Sequence, residues 1–224
     1  MRTESGARPR QSKSRNAGFL DVKKLAKTIK MNSVQIIGLK EFRKVVEELA
    51  TETKSEFPSL YFDYAGMIPI NDITSRYDSS PINTEVFATT GGDGVHYSIL
   101  EISEKIQPIV MTVPMNFGDS MRDYNWIIGE NLNEFLSIGY YNGWFPIEQL
   151  CYDNRWVINF YSKENMEDDY QKDADIQFVK KLRNKFGYGH IPLNNERLNE
   201  LAGNYFRYLR FNSEFVEKYT KRIN

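Results

Sequence analysis

Cysteine, histidine and long apolar runs are what this chain has least of. Its 224 residues hold one cysteine, Cys151, which excludes an intrachain disulfide and a thiolate metal cluster. Only His96 and His190 are present, and neither stands in a metal-ligand spacing such as H-x-x-x-H. No apolar run approaches the ~20 residues a bilayer span requires. Charge of one sign is also missing, since the formal net charge is −1, so no global field draws the chain to nucleic acid or an anionic membrane. No metal site and no cofactor are expected, and nucleic acid is not an expected partner. What is abundant is ordinary core material, 41% hydrophobic against 26% charged, the balance of a globular domain.

The near-zero charge hides two opposed parts. Residues 1–30 carry nine Lys/Arg against Glu4 and Asp21, a balance of +7, which leaves −8 over residues 31–224. Residues 1–18 have no large apolar side chain beyond Met1, too little burial to offset ordering entropy. Residues 1–33 are therefore expected to be a basic disordered leader or tail. They contain no apolar stretch of the secretory kind, and a cytoplasmic location is expected.

Residues 34–224 read as one domain. In Gly38–Lys54, Leu39, Phe42, Val45, Val46 and Leu49 recur at three- and four-residue steps, which predicts an amphipathic helix. Leu60–Tyr64 and Met67–Ile70 are expected as short strands. Glu85–Thr89 and Val95–Ile102 are strands joined by Gly91, Gly92, Asp93 and Gly94, whose glycines permit the positive φ of a hairpin turn. Ile106–Val113 and Tyr124–Ile128 follow without intervening helices, which favours an antiparallel meander. Asn131 is positioned to cap a helix through Ile138, with Gly139 at its end, and Pro146 suits the first turn of a short helix through Leu150. Arg155–Tyr161 is expected as one more strand. An acidic linker (Glu164, Glu167, Asp168, Asp169) then leads to helices built on Ile176, Val179, Leu182 and Phe186, on Leu198, Leu201 and Tyr205, and on Phe215 and Tyr219. The expected fold is α+β, a central antiparallel sheet of about five or six strands with N-terminal and C-terminal helices.

The chemistry-bearing residues form no recognised catalytic signature. Cys151 follows an apolar stretch and reads as a buried structural thiol. Ser98 and His96 share one face of a strand without a third member, and no G-x-S-x-G elbow occurs. The loop Gly91–Gly94 precedes a strand, whereas a phosphate loop opens a helix and has a lysine just downstream; it reads as a structural turn. The acidic run around Glu167–Asp175 reads as a solvated helix start. Aromatic density stands out instead: Tyr140, Tyr141, Trp144, Phe145, Tyr152 and Trp156 lie close together, and aromatic side chains anchor interfaces. With Gly139 and Gly143 suggesting an exposed loop, Tyr140, Tyr141, Trp144 and Phe145 are the candidate partner-binding residues.

Three pieces of the middle of the chain resemble the SUKH superfamily of bacterial immunity proteins and cell-wall assembly regulator-like domains. They are the strand–turn–strand Thr90–Ser98 with its Gly-Asp-Gly, the strand Pro108–Pro114, and Trp126–Leu136, where a strand delivers a helix. The match spans roughly residues 85–140. It implies an α+β domain that binds another protein, in many bacterial members a toxin. The expected function is thus a non-enzymatic protein-binding module; a hydrolase-type enzyme with a scattered Asp/Glu/Tyr site and a regulatory scaffold remain as alternatives.

Overall fold

The computed structural model describes residues 37–70, 77–162 and 177–220. The expected leader, the acidic linker and Ile176 lie outside the described residues.

Helix α1 (Leu39–Thr53) buries Phe42, Val45, Val46 and Leu49, the stripe its spacing predicts. It ends where Lys54 turns left-handed, at φ 50°. The run around Leu60 is a helix, α2 (Pro58–Asp63), and not the expected strand. A short apolar run has no period that separates strand from helix; Pro58 at the first position, with φ preset for helix, settles it.

The sheet then forms in simple meander order from β1 (Ile68–Pro69), β2 (Glu85–Thr89), β3 (His96–Ile99), β4 (Ile109–Thr112) and β5 (Asn125–Gly129). Every neighbouring pair is antiparallel. The one-turn helix α3 (Met121–Tyr124) delivers β5 and starts with a capping box between Ser120 and Asp123. Helix α4 (Leu132–Ile138) follows, with Asn131 Oδ1 accepting from the Glu134 amide at 3.0 Å. Next come a 3₁₀ helix (Phe145–Cys151) and α5 (Asn154–Tyr161). The latter corrects the strand expected at Arg155–Tyr161. Asp153 caps it by accepting from the Trp156 amide at 3.0 Å, and Val157 and Tyr161 are buried one turn apart; dense apolar residues had masked that period. Helices α6 (Gln177–Phe186), α7 (Asn195–Tyr205) and α8 (Ser213–Thr220) complete the described chain, with a 3₁₀ turn (Phe206–Tyr208) after α7.

Strand alternation places two different layers on the sheet. On one face Phe87, Tyr97, Ile109, Met111 and Ile128 join the main core with Phe42, Phe135, Trp144, Phe178 and Leu182. On the other, Leu100, Val110 and Ile127 meet Leu201, Tyr205 and Leu209 from the C-terminal segment. That second face also buries His96, Ser98, Thr112 and Asn125, which adjacent strands place in cross-strand register as His96–Thr112–Asn125. Thr112 Oγ1 donates to Asn125 Oδ1 at 2.9 Å, and Asn125 Nδ2 donates to the Ser79 carbonyl at 3.0 Å. Arg197 on α7 grips the β5–α4 junction, its Nε on Glu134 Oε1 at 2.7 Å and its Nη2 on Glu134 Oε2 at 3.0 Å. The C-terminal helices are thus a structural layer of the domain, covering what a sheet with helices on one side alone would leave in water.

Candidate functional site

The glycine turn is a hairpin turn joining β2 to β3. Gly91 and Gly94 have φ of +89° and +70°, and Asp93 sits at +48°, a region that Asp tolerates better than most residues. The turn's polar groups are used locally: the Thr90 amide donates to the Val95 carbonyl at 3.1 Å, the Val95 amide to the Gly92 carbonyl at 3.0 Å, and the Gly91 amide to Thr89 Oγ1 at 3.2 Å. A side chain at Gly94 would stand 2.3 Å from the Tyr77 hydroxyl, so this corner is packed.

His96 emerges from the turn with its partner in Ser80 and not Ser98. Nδ1 lies 2.8 Å from the Gly94 carbonyl, which only accepts, so Nδ1 carries the proton. In the neutral ring Nε2 then accepts from Ser80 Oγ at 3.2 Å. Both side chains are buried, and this pair stitches the segment before β2 to the sheet. Ser98 is fully buried, its hydroxyl without a hydrogen-bond partner.

The four aromatic candidates fall in three places. Trp144 is 0% exposed and belongs to the core; its Nε1 donates to the Phe135 carbonyl at 2.9 Å, and its ring stacks on Phe135 at 5.6 Å. Gly139 and Gly143 are buried as well, so the loop between them is not the exposed one the glycines suggested. A Cβ at Gly139 would lie 2.3 Å from the Trp144 ring, and one at Gly143 would lie 2.7 Å from the Ala65 carbonyl oxygen. These glycines exist for close packing. Tyr140 and Tyr141 are half-buried, packed edge to face at 4.7 Å with His190 5.0 Å from Tyr141 and the Arg183 guanidinium 4.4 Å over Tyr140. Phe145 is the one of the four that is exposed, at 50%.

Phe145 stands where three segments meet. The Trp144 amide donates to the Ala65 carbonyl at 2.6 Å, and Gly66 approaches so closely that a Cβ there would lie 2.2 Å from the Phe145 Cα. Gly91 of the turn faces the Asp63 carboxylate, 3.1 Å from where its Cβ would be. In the 3₁₀ helix, residues three apart share a face, which sets Glu148 beside Phe145. Burial raises the Glu148 carboxyl above its usual range, and the neighbouring Asp93 raises it further. The Thr90 and Gln149 side chains near Glu148 favour its ionised form. Tyr152, exposed, is pushed up by desolvation, by Cys151 and by the same two carboxylates. Tyr64 is exposed at the end of α2. The result is a rim of three carboxylates, Asp63, Asp93 and Glu148, near the exposed rings of Phe145 and Tyr152. Sequence reading identified the turn, Phe145 as a candidate and Tyr152 in the same aromatic cluster, but not Asp63 or Glu148 as their companions. The 3₁₀ spacing of Phe145 and Glu148 was the one local signal for the latter.

Cys151 is half-buried with its thiol donating to the Glu148 carbonyl at 3.2 Å, and desolvation raises its pKa to about 11. That is the opposite of the depressed value a reactive thiol needs. Among the described residues no group of three or more His, Cys, Asp or Glu is placed to hold a metal ion, and no described helix is long and apolar enough to cross a membrane. No family model, curated protein or solved structure matches the chain.

Proposed function

We propose that the chain is a protein-binding module that receives a basic partner on the rim around the Gly91–Gly94 turn. The observation that carries this reading is Glu148: a half-buried carboxylate that burial chiefly, and Asp93 to a lesser degree, makes costly to ionise, without an ion-pair partner among the described residues and near the exposed rings of Phe145 and Tyr152. Such a group is worse off folded than unfolded at neutral pH, and a partner's cation seated between the two carboxylates relieves the repulsion. The rings supply contact area and exclude water from that pair. The platform is held by main-chain hydrogen bonds and by close approaches at Gly66 and Gly143, so little ordering is left to the moment of binding.

The resemblance of residues 85–140 to the SUKH superfamily supports the same class of function, and within it an immunity protein that neutralises a bacterial toxin. The −8 balance of residues 31–224 suits a basic toxin surface, chiefly by speeding encounter. The test is capture from the native host, at low and high salt, with the whole chain as bait. A specifically retained basic protein whose affinity falls about tenfold or more in Asp93→Asn and Phe145→Ala, and which is unaffected by Glu196→Lys on the exposed side of α7, supports the reading. Equal retention by all variants rejects it.

A further inference from the structure

A concavity lies between the C-terminal helix α8 and the β4–α3 loop, with Tyr77 and Asp78 on its wall. It is a cleft of about 540 Å³, within the size range of small-molecule sites. Its rings are Tyr77, Phe117, Tyr124 and Phe215, and its charged groups are Asp78, Glu214 and Lys218. We propose that this cleft binds an organic cation of the ammonium or guanidinium kind.

Three observations carry the proposal. Phe117 is 94% exposed, yet it does not hang on a slack loop. Asn116 holds the segment on both sides, its Nδ2 donating to the Asp123 carbonyl at 2.7 Å and its Oδ1 accepting from the Phe117 amide at 2.9 Å. The Tyr124 hydroxyl donates to the Gly118 carbonyl at 3.3 Å, and the capping box of α3 closes the loop behind it. The backbone that carries Phe117 is therefore ordered, and it presents a large ring to water at the lip of the cleft, where the ring gains nothing in the free protein. Second, the cleft has an aromatic floor already set: Tyr124 and Phe215 are buried and pack edge to face at 5.7 Å, so neither ring needs to reorient on binding.

Third, the charges are uneven. Asp78 and Glu214 make no ion pair among the described residues, while the Lys218 ammonium lies 5.5 Å over the Tyr219 ring. Glu214 and Lys218 are one turn apart on α8 and still unpaired. Two free carboxylates among π faces attract a cation with apolar substituents, because the ring quadrupole and the carboxylate act on the same charge while the substituents bury apolar area. A cation engages the rings and both carboxylates together, with the Lys218 ammonium lying over the Tyr219 ring.

The test titrates the full chain, by calorimetry and by NMR of the amide groups, with choline, with N-acetylarginine methylamide and with 3,3-dimethylbutanol, the neutral isostere of choline. Saturable binding of choline or of the arginine derivative, at least fivefold tighter than that of the neutral alcohol, with shifts at residues 114–117 and 214–218, supports the proposal. Tighter binding of choline identifies a free small cation, and tighter binding of the arginine derivative a side chain. Phe117→Ala, at a site with no packing to lose, is expected to weaken binding between about twofold and thirtyfold, and Asp78→Asn to weaken it in the same direction. Phe57→Ala, at an exposed ring just before α2 that does not line the cleft, leaves it unchanged. The proposal is overturned by equal affinity for the neutral alcohol, by no effect of Phe117→Ala and Asp78→Asn, or by the absence of saturable binding.

Discussion

Replacing Gly66 by alanine tests whether the proposed rim is a rigid platform. Gly66 has φ +68°, and a Cβ there would lie 2.2 Å from both the Cα and the amide nitrogen of Phe145. The obstacle is main chain, so no side chain can swing aside. It is also tied down, since the adjoining Trp144 amide is bonded to the Ala65 carbonyl at 2.6 Å and Trp144 itself is buried. Left-handed backbone in a residue with a Cβ costs on the order of 1–3 kcal/mol, and forcing extra volume into a packed contact about 1–3 kcal/mol more. The expected destabilisation is roughly 3–5 kcal/mol, a large part of a typical domain's stability. In urea, at an m-value of about 2 kcal/mol/M, the midpoint should fall by ~1.5–2.5 M with m unchanged. Gly92→Ala is the matched control, because a Cβ there meets nothing within 4 Å and its φ is ordinary; its stability should stay within about 0.5 kcal/mol of the parent, a midpoint shift of roughly 0.25 M at most. If Gly66→Ala and Gly92→Ala melt alike, the close approach of the two loops is wrong, and with it the fixed position of Phe145.

Glu148→Gln should stabilise the protein at neutral pH. Its folded carboxyl titrates above the unfolded value, so the folded state holds more protons in that window and stability declines as pH rises through it. The gain from the amide should be present at pH 7 and vanish below the unfolded carboxylate pKa; a gain that persists in acid refutes the assignment. Ser98→Ala removes a fully buried hydroxyl that has no partner and should be neutral or stabilising by about 1 kcal/mol, read as a Tm rise of roughly 2–4 °C. A fall in Tm would show that the hydroxyl has a role. Arg197→Ala strands the Glu134 carboxylate, which is 12% exposed, and should cost about 2–3 kcal/mol. A cycle with Glu134→Gln should show that the two losses do not add. Trp144→Phe deletes the bond to the Phe135 carbonyl and should cost about 1–3 kcal/mol in denaturant; a neutral effect would return Trp144 to the surface.

The parts of the fold that were legible in the chain are those whose signal is local. The stripe of Phe42, Val45, Val46 and Leu49, the cap at Asn131 and the meander from Glu85 to Gly129 each rest on periodicity or on a single side-chain-to-backbone bond. The two strands expected at Leu60–Tyr64 and Arg155–Tyr161 turned out to be helices, because their apolar residues are too dense to show a period and their start signals, Pro58 at the first helical position and the Asp153 cap, lie just outside the runs. In the rim, Phe145 and the turn were visible, whereas Asp63, about thirty residues from Asp93, has no local mark.

Sequence by itself determined an α+β chain with an antiparallel meander and a hairpin at Gly91–Gly94, because hydrogen bonding and φ preference act between near neighbours. Only the tertiary structure decided which aromatic rings reach water, that the C-terminal helices roof the second face of the sheet, and that Asp63, Asp93 and Glu148 share one rim. Burial and charge proximity are properties of how distant segments pack, and a one-dimensional pattern carries no distance between them.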